Sequence, residues 1–259
     1  MDGMSSPGTR PDTALVTGAT AGIGLEFARQ LAARGHDLVV VARDVERLEK
    51  VAAELRSTGR DVEVLPADLT DRAQLATVEA RLADPDRPVD LLVNNAGFGL
   101  LGRFLDNSVE DETRMLEVLV TAPMRLSHAA LGAQVTRGRG GVINVGSVAS
   151  FFPRGSYGAA KAWLNRFGVW AAAEYGPRGV HVMTLCPGFV KTEFHERLGG
   201  RRGSGRMWLE PEFLVTEALS DWDRRRTFSI PGRQYKALTM VGKVVPARLM
   251  LRFQNVGRR

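Results

Sequence analysis

The stretch TALVTGATAGIGLEFARQLAARG, Thr13 to Gly35, joins two patterns through a run of glycines. Thr13–Gly18 has the apolar content and length of a buried strand. From Gly24 to Gly35, apolar Leu25, Ala28, Leu31 and Ala32 share one helical face, and Gly35 is a helix stop. Between the two, Gly18, Gly22 and Gly24 are spaced T-G-x-x-x-G-x-G, with Thr20 inside the run. Glycines let the backbone turn sharply and approach a diphosphate, and a helix N-terminus offers free N–H groups and positive potential. Strand, glycine loop and helix in this order predict a dinucleotide-binding βαβ unit; a plain glycine turn is the competing reading.

The same alternation continues. DLVVVAR, DVEVLPAD, VDLLVNNAG, GGVINVGS and VHVMTLCPG read as strands, and the stretches between them as helices, including a long one around residues 108–134 and DRAQLATVEARLA with Asp71 in its first turn. Strands alternating with helices imply parallel pairing, and near-continuous apolar strands imply helices on both faces. The expected fold is α/β, a Rossmann-like doubly wound parallel sheet of about seven strands with helices on both faces. Residues 1–12 read as a disordered lead-in and 13–259 as one domain, whose part from 209 onward forms an interface or pocket cover.

Composition narrows the function classes. Of 259 residues, 44% are hydrophobic and 25% charged, as in an ordinary soluble globular protein. A lone cysteine, Cys186, excludes an intrachain disulfide and a multi-cysteine metal site. His36, His128, His181 and His195 lack metal-ligand spacing, so no metal is expected; His128 and His181 read as structural, and Cys186 as a small buried thiol. There is no signal-type apolar region and no spanning segment, which makes cytoplasmic the default location. The net charge of +6 is concentrated late, in HERLGGRRGSGR, DRRR and VGRR, without aromatic interleaving or a DNA-reading motif. No nucleic-acid partner is expected.

Further candidates fall at strand ends, where open α/β sheets hold ligands. Ala42-Arg43 replaces the acidic residue that would receive the ribose hydroxyls of NAD, and a guanidinium there suits a 2′-phosphate. This points to NADP(H), with NAD(H) the alternative; the competing reading is a surface arginine beginning a helix beside Asp44. Asp68-Leu69 and Asn94-Asn95-Ala96-Gly97 end the next strands as a candidate cofactor wall. In SYGAAKAW, Tyr157 and Lys161 stand four apart, on one helical face, and an ammonium near a phenol favours the phenolate.

TGATAGIG, DL, NNAG, NVGS, YGAAK and PGFVKT, in that order from about Asp12 to Leu198, resemble the short-chain dehydrogenase/reductase family. The resemblance implies that Tyr157 is the general acid or base, that Lys161 lowers its pKa and binds the nicotinamide ribose, and that Ser147 polarises the same substrate oxygen. It assigns Gly18, Ile23, Asp68, Asn94 and Gly97, with Thr20, Gly22, Gly24, Leu69 and Ala96, to the cofactor cradle. Pro187, Gly188, Val190 and Thr192 match the segment contacting the nicotinamide. The implied activity is NADP(H)-dependent interconversion of an alcohol and a carbonyl on an apolar small molecule, by a homo-dimer or homo-tetramer. A nucleotide-binding sensor without turnover is the alternative.

Two features depart from the family. EVLVTAP places Leu119 where the family commonly has an asparagine that helps hold a water leading to the lysine. The interval from Ser147 to Tyr157 is shorter than in many members, leaving Phe151 and Phe152 to line a pocket or pack in the core. Trp163, Phe167 and Trp170, at helical spacing, read as packing or subunit contact. Arg233–Gln254, basic and apolar but interrupted by Pro246, reads as an interface or pocket cover, with weak peripheral membrane contact as the alternative.

Overall fold

Strand β1 (Thr13–Thr17) is buried throughout, and its side chains divide between two cores. Ala14 and Val16 pack with Phe27 and Leu31 of α1 (Gly22–Ala33), whereas Leu15 packs with Leu75, Val78 and Leu126 on the opposite side. The alternation repeats in β2 (Asp37–Ala42), with Leu38 and Val40 on the first face and Val39 and Val41 on the second. A strand covered on both faces has no polar side, hence the continuous apolar runs.

The computed structural model describes residues 12–193, 205 and 207–244. After β2 come α2 (Val45–Arg56), β3 (Val62–Pro66), α3 (Arg72–Ala83), β4 (Leu91–Asn94), α4 (Val109–Leu116), α5 (Ala122–Arg137), β5 (Gly140–Val145), α6 (Gly155–Tyr175) and β6 (Val180–Leu185). Two short strands, β7 (Phe189–Val190) and β8 (Trp208–Leu209), precede α7 (Pro211–Asp223), β9 (Phe228–Ser229) and α8 (Arg233–Val244). Seven strands form one parallel sheet in the order β3-β2-β1-β4-β5-β6-β9, and β7 pairs with β8 apart from it. Helices α1, α2 and α7 contribute to one core and α3, α5 and α6 to the other, so the expected doubly wound sheet is present. Chain order reverses between β1 and β4, which opens a crevice at their C-terminal ends. The lead-in at 1–12 lies, apart from Asp12, outside the described residues, as do the last residues of the C-terminal segment.

Local details differ from expectation for physical reasons. Asp71 is the N-cap of α3 rather than part of its first turn; its carboxylate accepts from the N–H groups of Ala73 and Gln74 at 2.9 and 3.0 Å. The long helix around 108–134 is broken, because Glu117–Thr121 is π-helical between α4 and α5. Pro123 has no N–H to give the Leu119 carbonyl one α-turn back, and the hydrogen-bond ladder shifts there. His128 is exposed on α5, contrary to the structural reading, because it falls on the face turned from the sheet. Among the described residues, no helix is long and apolar enough to cross a membrane.

His181 does fill the structural role expected of it. It is buried in β6 with its ring 4.3 Å from that of Trp222. Burial, with Arg225 adding repulsion, pushes its pKa from 6.5 down to about 4. The unfolded chain therefore takes up this proton first as pH falls, so the site's contribution to stability is complete above 6.5 and lost on falling through about 4. Urea denaturation at about pH 7 and about pH 4.5 is expected to show wild type losing more stability on acidification than His181→Leu. Equal losses would mean that His181 is already charged in the fold.

Candidate active site

The crevice is built first by the turn between β1 and α1. Gly22 has φ +55°, and a Cβ there would lie 2.9 Å from the Thr192 methyl group, so the chain beyond β7 closes directly on the glycine loop. At Gly24 a Cβ would lie 2.3 Å from both Asn95 Nδ2 and the Gly18 carbonyl oxygen. Helix α1 begins without a side-chain cap and without an acidic residue in its first turn, leaving its N–H groups and positive end free. These features fit a dinucleotide diphosphate. Thr20 lies in the turn, partly exposed, while Ile23 faces inward and packs on the first core.

The Asn94–Gly97 wall is stitched to this turn. Thr17 Oγ1 donates to the Val93 carbonyl and accepts from the N–H groups of Asn95 and Ala96, both at 3.0 Å. Asn95 Nδ2 donates to the Thr17 carbonyl at 2.8 Å. Asn94 is turned the other way: its Nδ2 donates to Ser127 Oγ at 3.0 Å and Asn144 Oδ1 at 2.9 Å. Across the crevice, Arg43 is exposed and its guanidinium is 3.9 Å from the Asp68 carboxylate. Asp44 next to it caps α2, accepting from the Arg47 N–H at 3.0 Å, so it is engaged elsewhere. Burial opposes the charge on Asp68, but hydrogen bonds from the Thr70 backbone and hydroxyl, with Arg43 and Arg114, hold its pKa below the usual range. The Leu69 side chain is buried and lines the same small space as Asn94 and Lys161.

Ser147, Tyr157 and Lys161 come together on the far side. Ser147 ends β5 as the cap of a 3₁₀ turn (Val148–Phe151), accepting from the Ala149 N–H at 3.1 Å, and its hydroxyl hydrogen-bonds the Tyr157 phenol. Lys161 is 5% exposed; its Nζ donates to the Val145 carbonyl at 2.7 Å and lies 6.0 Å from the Tyr157 ring centre. Burial pushes the phenol up to about 12, partly opposed by the Ser147 bond, with the Cys186 thiol adding to the rise. Burial also pushes Lys161 down to about 8, against a smaller opposing effect of Cys186. Cys186 is fully buried, as expected, and its thiol donates to Asn165 Oδ1 at 3.4 Å.

Leu119 is buried at the π-helical break and lines, with Lys161, Asn94, Ala96 and Leu69, a small cavity behind the lysine. A Cβ on Gly97 would be 2.9 Å from a Leu119 methyl and 3.8 Å from Lys161 Nζ, so the three converge. The Pro187 carbonyl accepts from the Val148 N–H at 2.9 Å, tying the strand end after β6 to the Ser147 turn. Val190 points into the core, and Thr192 is nearly buried against Gly22. Phe151 meets Phe228 edge-on, and a Cβ on Gly242 of α8 would touch the Phe151 carbonyl and the Phe152 ring at 3.1 and 3.2 Å. The aromatic pair therefore packs under α8.

Sequence reasoning passed over three residues. The Tyr235 ring lies flat on Gly188, where a Cβ would be 1.9 Å from its Cζ; its hydroxyl accepts from the Phe189 N–H at 2.8 Å and donates to the Met207 carbonyl. Buried Glu112 accepts from Ser156 and Asn107, tying the loop after β4 to the start of α6. Asn165 donates to Ser150, whose hydroxyl donates to the Ser147 carbonyl at 2.6 Å. Only Asn165 carried a local signal, one helical turn beyond Lys161.

A crevice at the strand-order reversal, an uncapped glycine loop and a Ser–Tyr–Lys group beside it define a dinucleotide-linked oxidoreductase class. The sequence matches the family model described as short chain dehydrogenase over residues 12–202, and the chain belongs to that family. It is 35% identical over 203 residues to galactitol 2-dehydrogenase (L-tagatose-forming) of Cereibacter sphaeroides, covering 76% of this chain and 78% of that one. A short-chain dehydrogenase from Sphingobium yanoikuyae, solved in complex with NADPH, is 38% identical with a TM-score of 0.83, covering 90% of this chain and 94% of that one. The bulky-bulky ketone specific alcohol dehydrogenase from Comamonas testosteroni is 34% identical with a TM-score of 0.80, covering 91% and 93%.

Gly24→Ala is expected to force the turn open, to lower folding stability by about 1–3 kcal/mol and to abolish dinucleotide binding. Calorimetry showing wild-type affinity in that variant would remove the glycine loop from the site.

Proposed function

We propose that the protein interconverts a bulky apolar ketone and its alcohol using NADP(H). The observation that carries this is the hydrogen-bonded Ser147–Tyr157 pair at the end of β5, with Lys161 buried beneath it. A bound nicotinamide supplies or accepts the hydride. Ser147 and Tyr157 would both point hydrogen-bond donors at the substrate oxygen, where negative charge develops in reduction. With its pKa at about 12, the phenol is protonated at neutral pH, the form that gives a proton to that oxygen. The Lys161 ammonium favours the phenolate left behind, and that help fades as pH rises through about 8, where the lysine loses its charge.

Arg43 supports a preference for the 2′-phosphate, since it is exposed and Asp44 is occupied as a helix cap. The loop after β4 supports the substrate class. Phe98 and Leu100 pack beside Tyr157, and Leu101, Phe104 and Leu105 continue outward as exposed apolar side chains. The contact of α8 with Phe151 and Phe152 supports its role as a cover rather than a membrane anchor. On α6, Trp163 stacks on Phe167 at 5.1 Å, and Val169 and Trp170 stay half exposed, which supports a homo-dimer or tetramer through this face. Light scattering that returned a monomer mass would overturn it.

Purified protein is expected to bind NADPH more tightly than NADH, with Arg43→Ala narrowing the gap. It is expected to reduce bulky aryl ketones, with Tyr157→Phe lowering kcat/KM by at least about a hundredfold. No turnover across a broad carbonyl panel, or equal turnover by Tyr157→Phe, would overturn the proposal.

A further inference from the structure

The chain from Pro187 to Thr192 runs from one half of the site to the other. It starts at the Ser147 turn, where the Pro187 carbonyl accepts from the Val148 N–H at 2.9 Å, and it ends on the glycine loop, where Thr192 lies against Gly22. A dinucleotide joining the diphosphate turn to the Ser147–Tyr157 pair has to lie along it. Yet the segment has little structure of its own. Strands β7 and β8 are two residues each, paired at Phe189–Trp208 and Val190–Leu209, with the Lys191 N–H donating to the Leu209 carbonyl at 3.0 Å. A two-stranded pairing this short is marginal by itself. Tyr235 of α8 supplies the support. Its side chain is fully buried, and its hydroxyl accepts from the Phe189 N–H at 2.8 Å and donates to the Met207 carbonyl, so one oxygen bridges β7 and the residue that leads into β8. A Cβ on Gly188 would stand 1.9 Å from the Tyr235 Cζ and 2.2 Å from both Cε atoms, so the ring backs the Gly188 backbone directly. Burial raises the phenol pKa, with the Phe189 bond opposing the rise, so the hydroxyl keeps the proton it donates to Met207.

We propose that Tyr235 is a positioning residue for the nicotinamide end of the cofactor: its hydroxyl clamps β7 to β8 and its ring backs Gly188, which holds Pro187–Thr192 at the height where it meets the nicotinamide. Tyr235 touches no reacting atom. Helix α8 thereby serves the cofactor as well as covering Phe151 and Phe152. The clamp follows from geometry alone; its effect on the cofactor rests on the dinucleotide reading proposed above.

The test uses the full chain and Tyr235→Phe, which keeps the ring on Gly188 and removes the clamp. Amide hydrogen exchange reads the clamp without any ligand: the Phe189 N–H is expected to exchange at least about tenfold faster in the variant. Unchanged exchange would overturn the proposal whether or not the protein turns over. Calorimetry then compares two probes, NADPH and adenosine 2′,5′-diphosphate, which shares the adenosine end of NADPH and lacks the nicotinamide. In Tyr235→Phe the affinity for NADPH is expected to fall about tenfold, while that for the fragment stays within about twofold. Equal loss of both, as general loosening would give, or loss of neither, would overturn the positioning role. Thr239→Ala removes a buried hydroxyl that donates to the Lys236 carbonyl on the same helix, away from both strands. It should keep both wild-type affinities even where its thermal stability falls. Wild-type protein that bound neither probe would overturn the dinucleotide reading and the positioning role with it, and the exchange result would still decide the clamp.

Discussion

An ammonium buried at the end of a parallel sheet is the constraint around which the rest of this molecule is arranged. Taking Lys161 out of water is costly, and in a protein interior such a charge persists only where it is hydrogen-bonded or paired. The carbonyl that receives it, on Val145, is the last of β5, so the lysine must arrive at the strand end and nowhere else. That fixes the rotation and height of α6. Because Tyr157 lies one turn earlier on the same helix, anchoring the lysine also fixes the phenol against Ser147. Sheet edge, helix and hydroxyl pair therefore form one mechanical unit.

The sheet order explains why a dinucleotide site falls beside that unit. Chain order reverses between β1 and β4, so the helices after those strands go to opposite faces and leave a gap at their C-terminal ends. The gap is closed below by two short turns stitched together: the Thr17 hydroxyl gathers two N–H groups from the Asn95-Ala96 turn, and the Asn95 side-chain amide returns a bond to the Thr17 carbonyl. Side chains on that floor would intrude into the crevice, as the contacts of a Cβ at Gly22 or Gly24 make plain. Pairing of β5 with β4 then places Asn144 opposite Asn94 and brings the Ser147 turn to the same rim.

What could be read from the chain in advance depended on the range of the interaction. Strand runs, glycine spacing and the Tyr157–Lys161 interval are local, set by periods of two and 3.6 residues, and each was legible. The division of β1 between two cores was legible in principle, because an unbroken apolar run has to be covered on both faces. Long-range partners were not. Nothing near Tyr235 announces that its ring floors Gly188, 47 positions earlier (235 − 188), and nothing near Glu112 announces Ser156. The π-helical break was half legible, for Pro123 stands in the sequence, but its effect falls on the carbonyl of Leu119 and needs the helix built before it can be seen. His128 misled because an amphipathic period shows that a face exists without showing which residues turn away from the core.

Leu119 gains a different meaning once its surroundings are known. Read along the chain, it is a leucine standing where a polar residue would assist the lysine, and it suggests a weakened site. In the fold, the polar function need not come from the same position. Asn94 of β4 lines the same small space as Lys161 and Leu119, with an amide oxygen that makes no hydrogen bond within the protein. Apolar packing by Leu119 also excludes additional water from around the charge. In a drier setting each remaining hydrogen bond to the ammonium is stronger, because the local dielectric is lower. A leucine at this position therefore trades number of polar partners for strength of those that remain, chief among them the Val145 carbonyl.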